Sequence, residues 1–346
     1  MSQMFREWLR KVGSGTHTHQ DLSRDEAASA TRQMLLGEAT PAQIGAFLIA
    51  HRIKRPTAAE LAGMLDAYDD LGPTLPDLGV PLVILGNPYD GRTRTAPLTV
   101  LTSLVIAAAG RPVLMHGSTV CPTKYGLPLI QVWQMLGIDW AGRSLTALVK
   151  VLEATRLGLL YLPDHFPEAE AMMIYRDQLG KRPPLATLEL MWHPYEGVAH
   201  VVSGYVHPPT ETLIRDTLAL RAVSHLTTIK GLEGSSDLPR NRAAIVGFGE
   251  PWSHLVLKAL EHGLGGPEIA LQPPLDLGQA TGEVLAGRPG VLWEAALWNA
   301  GTYLWHLGCC PTLAEGLAAA EVAFQSGQVA NHLEILRGAL ARSPVL

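Results

Sequence analysis

Two polar loops each follow a short apolar run. The first, GNPYDGRTRT (86–95), sets Gly86 and Gly91 beside Asp90, Arg92, Arg94 and two threonines. Backbone amides of such a loop can cradle a phosphate, and an arginine fork adds charge. The second, MHGSTVCPTKYG (115–126), holds His116, Gly117, Ser118, Thr119, Thr123, Lys124 and Gly126. Lys124 suits a phosphate as a point charge, the hydroxyls can donate, and the glycines allow close backbone approach. Each loop alone also reads as a solvated strand–helix connection, because a single glycine-rich loop is a weak signal. Two of them at successive strand ends favour a crevice for an anionic ligand, since α/β sheets bind ligands beyond their carboxyl edge.

A third stretch, KGLEGSSDLPR (230–240), spaces Glu233 and Asp237 four residues apart. Their oxygens could share a magnesium ion or simply face water in a turn. Arg176 and the run GKRPP (180–184) are candidates to receive a carboxylate or phosphate. The aromatic and Met content of LELMWHP (188–194) reads as core. Cys309 and Cys310 read as packing, because adjacent cysteines rarely meet disulfide geometry.

The elements that must position these residues fall into two textures. Up to about residue 72 the chain reads as capped helices. SRDEAASATRQMLLG has Ser23 as N-cap, Glu26 three residues on and a stop at Gly37. TPAQIGAFLIAHRIK repeats the logic with Thr40 and Pro41, and TAAELAGMLDAYDDLG with Thr57 and Gly72. Beyond residue 80, VPLVILG, RPVLMHG, GLLYLP, AHVVSGYV, HLTTIKG and RAAIVGFG read as buried strands alternating with helical stretches. That alternation predicts an α/β domain with a central, mostly parallel sheet. The expected division is a helical domain, 1–75, to which a middle segment of about 168–197 returns, and an α/β domain of 76–167 and 198–346.

Composition bounds the function classes. With 346 residues, 47% hydrophobic and 17% charged, the chain is globular. A net charge of −5 argues against coating nucleic acid by bulk electrostatics, while leaving a local basic groove open. Three cysteines make no disulfide framework and fit a reducing compartment, and no CxxC or HExxH zinc spacing occurs. No secretory signal and no apolar run long enough for a membrane span is seen, so a cytoplasmic location with no membrane partner is expected.

The order of pieces resembles the anthranilate phosphoribosyltransferase family (family 3 glycosyltransferases). The resemblance rests on LLGEATPAQIGAFLIAHRIKRPTAAELAGM, on AAAGRPVLMHG, and on LWNAGTYLWHLG with TLAEGLAAAEVAFQSGQ, and it spans nearly the whole chain. It implies a small helical domain plus an α/β domain of the nucleoside phosphorylase/phosphoribosyltransferase type. It also implies a homodimer formed through the helical domain. The activity implied is transfer of a phosphoribosyl group from phosphoribosyl pyrophosphate, or use of another phosphorylated ligand, with magnesium and an aromatic acceptor.

Carried over residue by residue, the family's GTGGD loop lies at Gly86 to Asp90, with Asn87, Pro88 and Tyr89 in its middle. Pro88 removes an amide donor, and Tyr89 adds bulk where a phosphate would approach. The family's Asn-x-Ser-Thr becomes PLTV, keeping the Thr99 hydroxyl. Lys-His-Gly-Asn becomes Met115-His116-Gly117-Ser118, while Lys124 and Gly126 keep the family's spacing. The magnesium pair falls at Glu233-Gly234, with Asp237 as the replacement carboxylate, and Arg176 matches the arginine that contacts the acceptor. YDGRTRTAPLT and HG…PTKYG resemble the anthranilate phosphoribosyltransferase-like branch, some of whose members are dimeric nucleic-acid binders without transferase activity. Arg52, Lys54, Arg55, Arg92, Arg94 and Lys124 would supply that basic groove. Pentosyl transfer and non-catalytic nucleic-acid binding therefore stand as alternative expectations.

Overall fold

The computed structural model describes residues 3–344. Helices α1 (Gln3–Gly13), α2 (Arg24–Leu35), α3 (Pro41–Lys54) and α4 (Ala58–Leu71) form the N-terminal lobe. Ser23, Thr40 and Thr57 each accept the amide three residues on, and Glu26, Gln43 and Glu60 return a side chain to the cap amide. These reciprocal boxes satisfy donors that a helix start would otherwise leave orphaned. Phe5 of α1 packs on Phe47 of α3 with ring centroids 5.4 Å apart, and α2 lies along α4.

Glu60 is wholly buried beneath this lobe. Its carboxylate accepts from Lys54 Nζ at 2.8 Å, the Leu22 amide at 2.9 Å and the Thr57 amide at 2.7 Å. Lys54, expected on the basic surface, is thereby an internal residue with its side chain 1% exposed; it also bonds Asp21 at 2.5 Å. A buried carboxylate needs such a partner, and that need outweighs the lysine's affinity for water.

The second layer begins with β1 (Leu82–Gly86), α5 (Thr99–Ala108), β2 (Val113–Gly117), α6 (Leu129–Met135), α7 (Leu145–Thr155) and β3 (Leu157–Tyr161). Four short helices follow: α8 (Leu162–His165), α9 (Pro167–Glu170), α10 (Met173–Leu179) and α11 (Leu185–Leu188). Of these, α10 packs against α3 and α11 against α4. The chain then resumes with β4 (Ala199–Tyr205), α12 (Pro208–Leu220), β5 (His225–Lys230), β6 (Ala244–Phe248) and β7 (Ser253–Leu257). It closes with α13 (Leu277–Leu285), α14 (Trp293–His306), α15 (Leu313–Gln325) and α16 (Gln328–Arg342).

The seven strands lie in the order β3-β2-β1-β4-β5-β6-β7. The first five are parallel, with Ile84 opposite both Leu114 and Val201. The last two are antiparallel, so the sheet is mixed at one edge. Sequence pattern missed β7, because SHLVL is a short edge strand of exposed or half-buried residues with an apolar run of only three. Its pairing with β6 defines it. Among the described residues, no helix is long and apolar enough to cross a membrane.

The Glu60 carboxyl has an ordinary value of 4.5; burial pushes it up, but His51, Lys54 and the Leu22 amide outweigh that and hold it at about 2. A depressed folded-state value stabilises fully above pH 4.5 and loses that contribution as the pH falls toward 2. Glu60→Gln should therefore flatten the acid limb of a stability–pH profile measured by denaturant unfolding. Glu60→Ala, which leaves Lys54 with Asp21 alone and the Leu22 and Thr57 amides without their acceptor, should cost about 3–5 kcal/mol at neutral pH.

Candidate active site

Strand order reverses between β1 and β4: β1 continues to β2 on one side, while β4 continues to β5 on the other. Loops leaving such a switch point diverge and open a crevice at the carboxyl edge. A cavity of about 850 Å³ lies there, between the loops after β1, β2, β4 and β5 and the helical lobe. Six basic side chains line it (Arg52, Arg55, Arg94, Lys124, Arg176 and Arg182) against three carboxylates, Asp90, Glu189 and Glu233.

The loops after β1 and β2 are joined by backbone. Arg92 and Leu127 exchange amide bonds of 3.1 and 2.8 Å, and the Gly126 amide bonds the Asp90 carbonyl at 3.0 Å. A Cβ on Gly126 would stand 2.7 Å from the Arg92 carbonyl, and one on Gly91, where φ is +73°, 2.5 Å from the Leu127 carbonyl. Expected to let a phosphate approach, these two glycines instead let the loops meet. Gly86 is similarly placed, with the Leu190 carbonyl where its Cβ would be.

The amides of the first loop do cradle an anion, and that anion is Glu233. Its carboxylate accepts the amides of Thr93 (3.2 Å), Arg94 (3.0 Å) and Thr95 (3.0 Å), and the hydroxyls of Thr93 (3.1 Å) and Thr95 (3.0 Å). Lys124 Nζ lies 3.5 Å away. Burial acts to raise this carboxyl, but the Arg94, Thr93 and Thr95 amides and the Arg92 guanidinium hold it well below the usual carboxylate range. Glu233 adopts φ +55° to reach the cradle. A left-handed backbone at a residue with a side chain costs about 1–3 kcal/mol, which these bonds offset.

Arg92 spans the gap to Asp237. Its Nη1 bonds Asp237 Oδ2 at 2.6 Å and Ser235 Oγ at 2.8 Å, Nη2 bonds Thr95 Oγ1, and Nε lies 3.4 Å from Glu233. Asp237 also accepts the Leu98 amide (3.0 Å) and the Thr99 hydroxyl (2.9 Å). The expected magnesium ligands therefore do not fit that ion: their oxygens are taken by loop donors and a guanidinium. Among the described residues, no group of three or more His, Cys, Asp or Glu side chains is arranged to hold a metal.

Below the crevice floor, His116 is fully buried and turned away from any ligand. Its Nε2 donates to the Trp192 carbonyl at 3.0 Å, which can only accept, so Nδ1 accepts the Tyr89 hydroxyl at 2.7 Å. Burial lowers its pKa to about 4, leaving the ring neutral at pH 7. Tyr89 is thus folded under the loop and outside the cavity lining, whereas Pro88 faces the cavity together with Asp90 and Arg94. The aromatic chain continues from His116 through Trp192 to Phe166 and Tyr68 of α4, so LELMWHP is core.

Of the expected site residues, Asp90, Lys124, Arg176 and Glu233 line the crevice. Thr99, His116, Gly117 and Ser118 lie outside its lining; Ser118 bonds Glu170, and Gly117 ends β2. Thr123 is half-buried in the same loop as Lys124, also outside the lining. Arg92 and Asp237 support the floor from beneath. Arg176 is buried, ion-paired with Glu189, with Nη2 3.8 Å from Asp90 and Nε without a hydrogen-bond partner. Asp90 is held by Arg182, with Lys124 at 4.0 Å. Burial lowers the Lys124 pKa, against the pull of Asp90. Glu189, which also accepts the Tyr89 amide at 2.8 Å, was not foreseen from sequence. Its only signal was a glutamate inside an apolar run.

Residues 6–72 match the helical bundle domain of a glycosyl transferase family. The chain is 27% identical over 332 residues to an anthranilate phosphoribosyltransferase of Methylobacterium radiotolerans, covering 93% of this chain and 92% of that protein. An uncharacterized protein of Aquifex aeolicus is 28% identical over 309 residues, covering 87% and 93%. The fold matches that of anthranilate phosphoribosyltransferase from Saccharomyces cerevisiae in complex with PRPP and Mg. The TM-score is 0.83 at 18% identity, over 99% of each chain.

The joined loops yield a stability prediction. Gly126→Ala should lower the free energy of unfolding by about 1–3 kcal/mol, the usual range for overpacking, measured as a fall in urea midpoint at unchanged slope.

Proposed function

We propose that the chain is a member of the anthranilate phosphoribosyltransferase family and that its crevice binds phosphoribosyl pyrophosphate, or a related phosphorylated pentose, for transfer to an aromatic acceptor. The observation that carries this reading is the basic crevice at the strand switch point. Lys124 and Arg94 face it, and Arg176 brings to it a buried Nε with no hydrogen-bond partner. Orphaned donors in a cavity lined by excess positive charge suit an anionic ligand. Pro88, Pro183, Pro184, Leu190 and Tyr205 add apolar wall, a surface suited to an aromatic ring.

In such a reaction the bond from the pentose anomeric carbon to the diphosphate oxygen breaks, and one to the acceptor nitrogen forms as that amine loses a proton. The chain's part is to hold the leaving diphosphate and align the acceptor, which lowers the barrier by electrostatics and positioning. Lys124, Arg94 and Arg182 are assigned to the phosphates, and Arg176 to the acceptor.

Isothermal titration with phosphoribosyl pyrophosphate should give saturable binding. Loss of Lys124 to alanine should weaken it about ten- to a hundredfold, as expected for one charged contact of about 1.5–3 kcal/mol. Absence of any heat of binding would exclude this ligand.

A second reading, nucleic-acid binding by a homodimer, is favoured by one observation. Arg52 and Arg55 carry the basic lining out onto the helical lobe, toward the largely exposed Arg94. Lys54 and Arg92 do not contribute, both being spent internally. Exposed Met4 and Ile53 on the lobe suit pairing with a second copy. Under this reading Arg52→Ala/Arg55→Ala should reduce single-strand retention in a low-salt gel shift, and light scattering should report twice the chain mass. Equal retention by the double variant would remove it.

A further inference from the structure

We infer that this crevice takes its phosphorylated ligand without a divalent cation, because Arg92 already serves as the internal counter-ion between Glu233 and Asp237. The inference rests on the reading that the ligand is phosphorylated. Magnesium asks for six oxygens at about 2.0–2.1 Å in near-octahedral array, usually including one or two carboxylates with room for water. Here each nitrogen of the Arg92 guanidinium is engaged: Nη1 on Asp237 and Ser235, Nη2 on Thr95, and Nε toward Glu233. A cation entering between the two carboxylates would have to expel this buried group and leave it without a counter-charge.

The remaining acidic groups do not make up a site: of the crevice carboxylate oxygens only Asp90 Oδ1 lacks a hydrogen-bond partner, and Lys124 Nζ lies 4.0 Å from it. Glu233 is turned into the amide cradle of residues 93–95, so its oxygens serve the loop. Asp90 is bound by Arg182, and Glu189 by Arg176 and the Tyr89 amide. The charge a bound diphosphate would need comes instead from the mouth of the cavity. Arg94 is three-quarters exposed there, and Arg52, Arg55 and Lys124 line the same space. Arginine and lysine can meet phosphate directly, so the ligand's charge is met by protein groups without metal.

The test has two arms. In the first, manganese is titrated into the full-length wild-type chain alone, and free Mn²⁺ is read by electron paramagnetic resonance. The expected result is a signal equal to that in buffer through the millimolar range. Stoichiometric loss of signal, abolished by Asp237→Asn, would overturn the inference. Arg92→Met, which removes the cation between the two carboxylates, should acquire Mn²⁺ binding; the wild-type titration stands if that variant does not fold. In the second arm, phosphoribosyl pyrophosphate is titrated in magnesium and in EDTA. Affinities within about twofold support metal-free binding, and a loss of about tenfold or more in EDTA overturns it. Binding in neither buffer would defeat the ligand reading alone, and the manganese arm would still decide the metal.

Discussion

The crevice depends on one buried charge arrangement: a carboxylate, Glu233, seated in three consecutive amides, and a guanidinium, Arg92, bridging it to Asp237. Arg92 comes from the loop after β1, and both carboxylates come from the loop after β5. Without the two carboxylates, the buried Arg92 would be a charge without its counter-ions. Their mutual satisfaction fastens the loop after β1 to the loop after β5 across β4. It thereby sets where the floor of the cavity lies and which cations remain free above it.

A second set of contacts holds the same loop from the other side. Tyr89 and His116 are joined by a hydrogen bond, His116 bonds the Trp192 backbone, and Trp192 packs on Phe166 and Tyr68. An unbroken aromatic path therefore runs from the first site loop to α4 of the helical lobe. The Arg176–Glu189 pair parallels it, since Glu189 also takes the Tyr89 amide. The position of the lobe and the shape of the loop are thus coupled, and the cavity between them is shaped by both.

This pattern gives a physical account of a crevice whose loop amides are already satisfied from within. A glycine-rich diphosphate loop leaves its amides open for a ligand. Here the amides of residues 93–95, just beyond Gly86–Asp90, are occupied by the protein's own Glu233, and the cavity above is lined by Arg52, Arg55, Arg94 and Lys124. The crevice is basic through side chains at its mouth more than through open backbone amides at its floor.

Much of the scaffold was legible in the linear chain because it rests on short-range rules. The caps at Ser23, Thr40 and Thr57, the strand-forming apolar runs and the loops at their ends follow from local periodicity and turn chemistry. The chain also offered residues 86–95 and the Lys124 loop as either an anion-holding pair or two solvated turns. What the chain could not disclose was which anion fills the cradle, since Glu233 lies about 140 positions away and reads equally as a ligand-facing or protein-facing carboxylate. Burial settles that choice. Only when β1, β4 and β5 are adjacent do Arg92, Glu233 and Asp237 lose water together, and a charge that loses water must find its partner within the protein. The same condition turned Lys54 and His116 inward and left Arg94 outside.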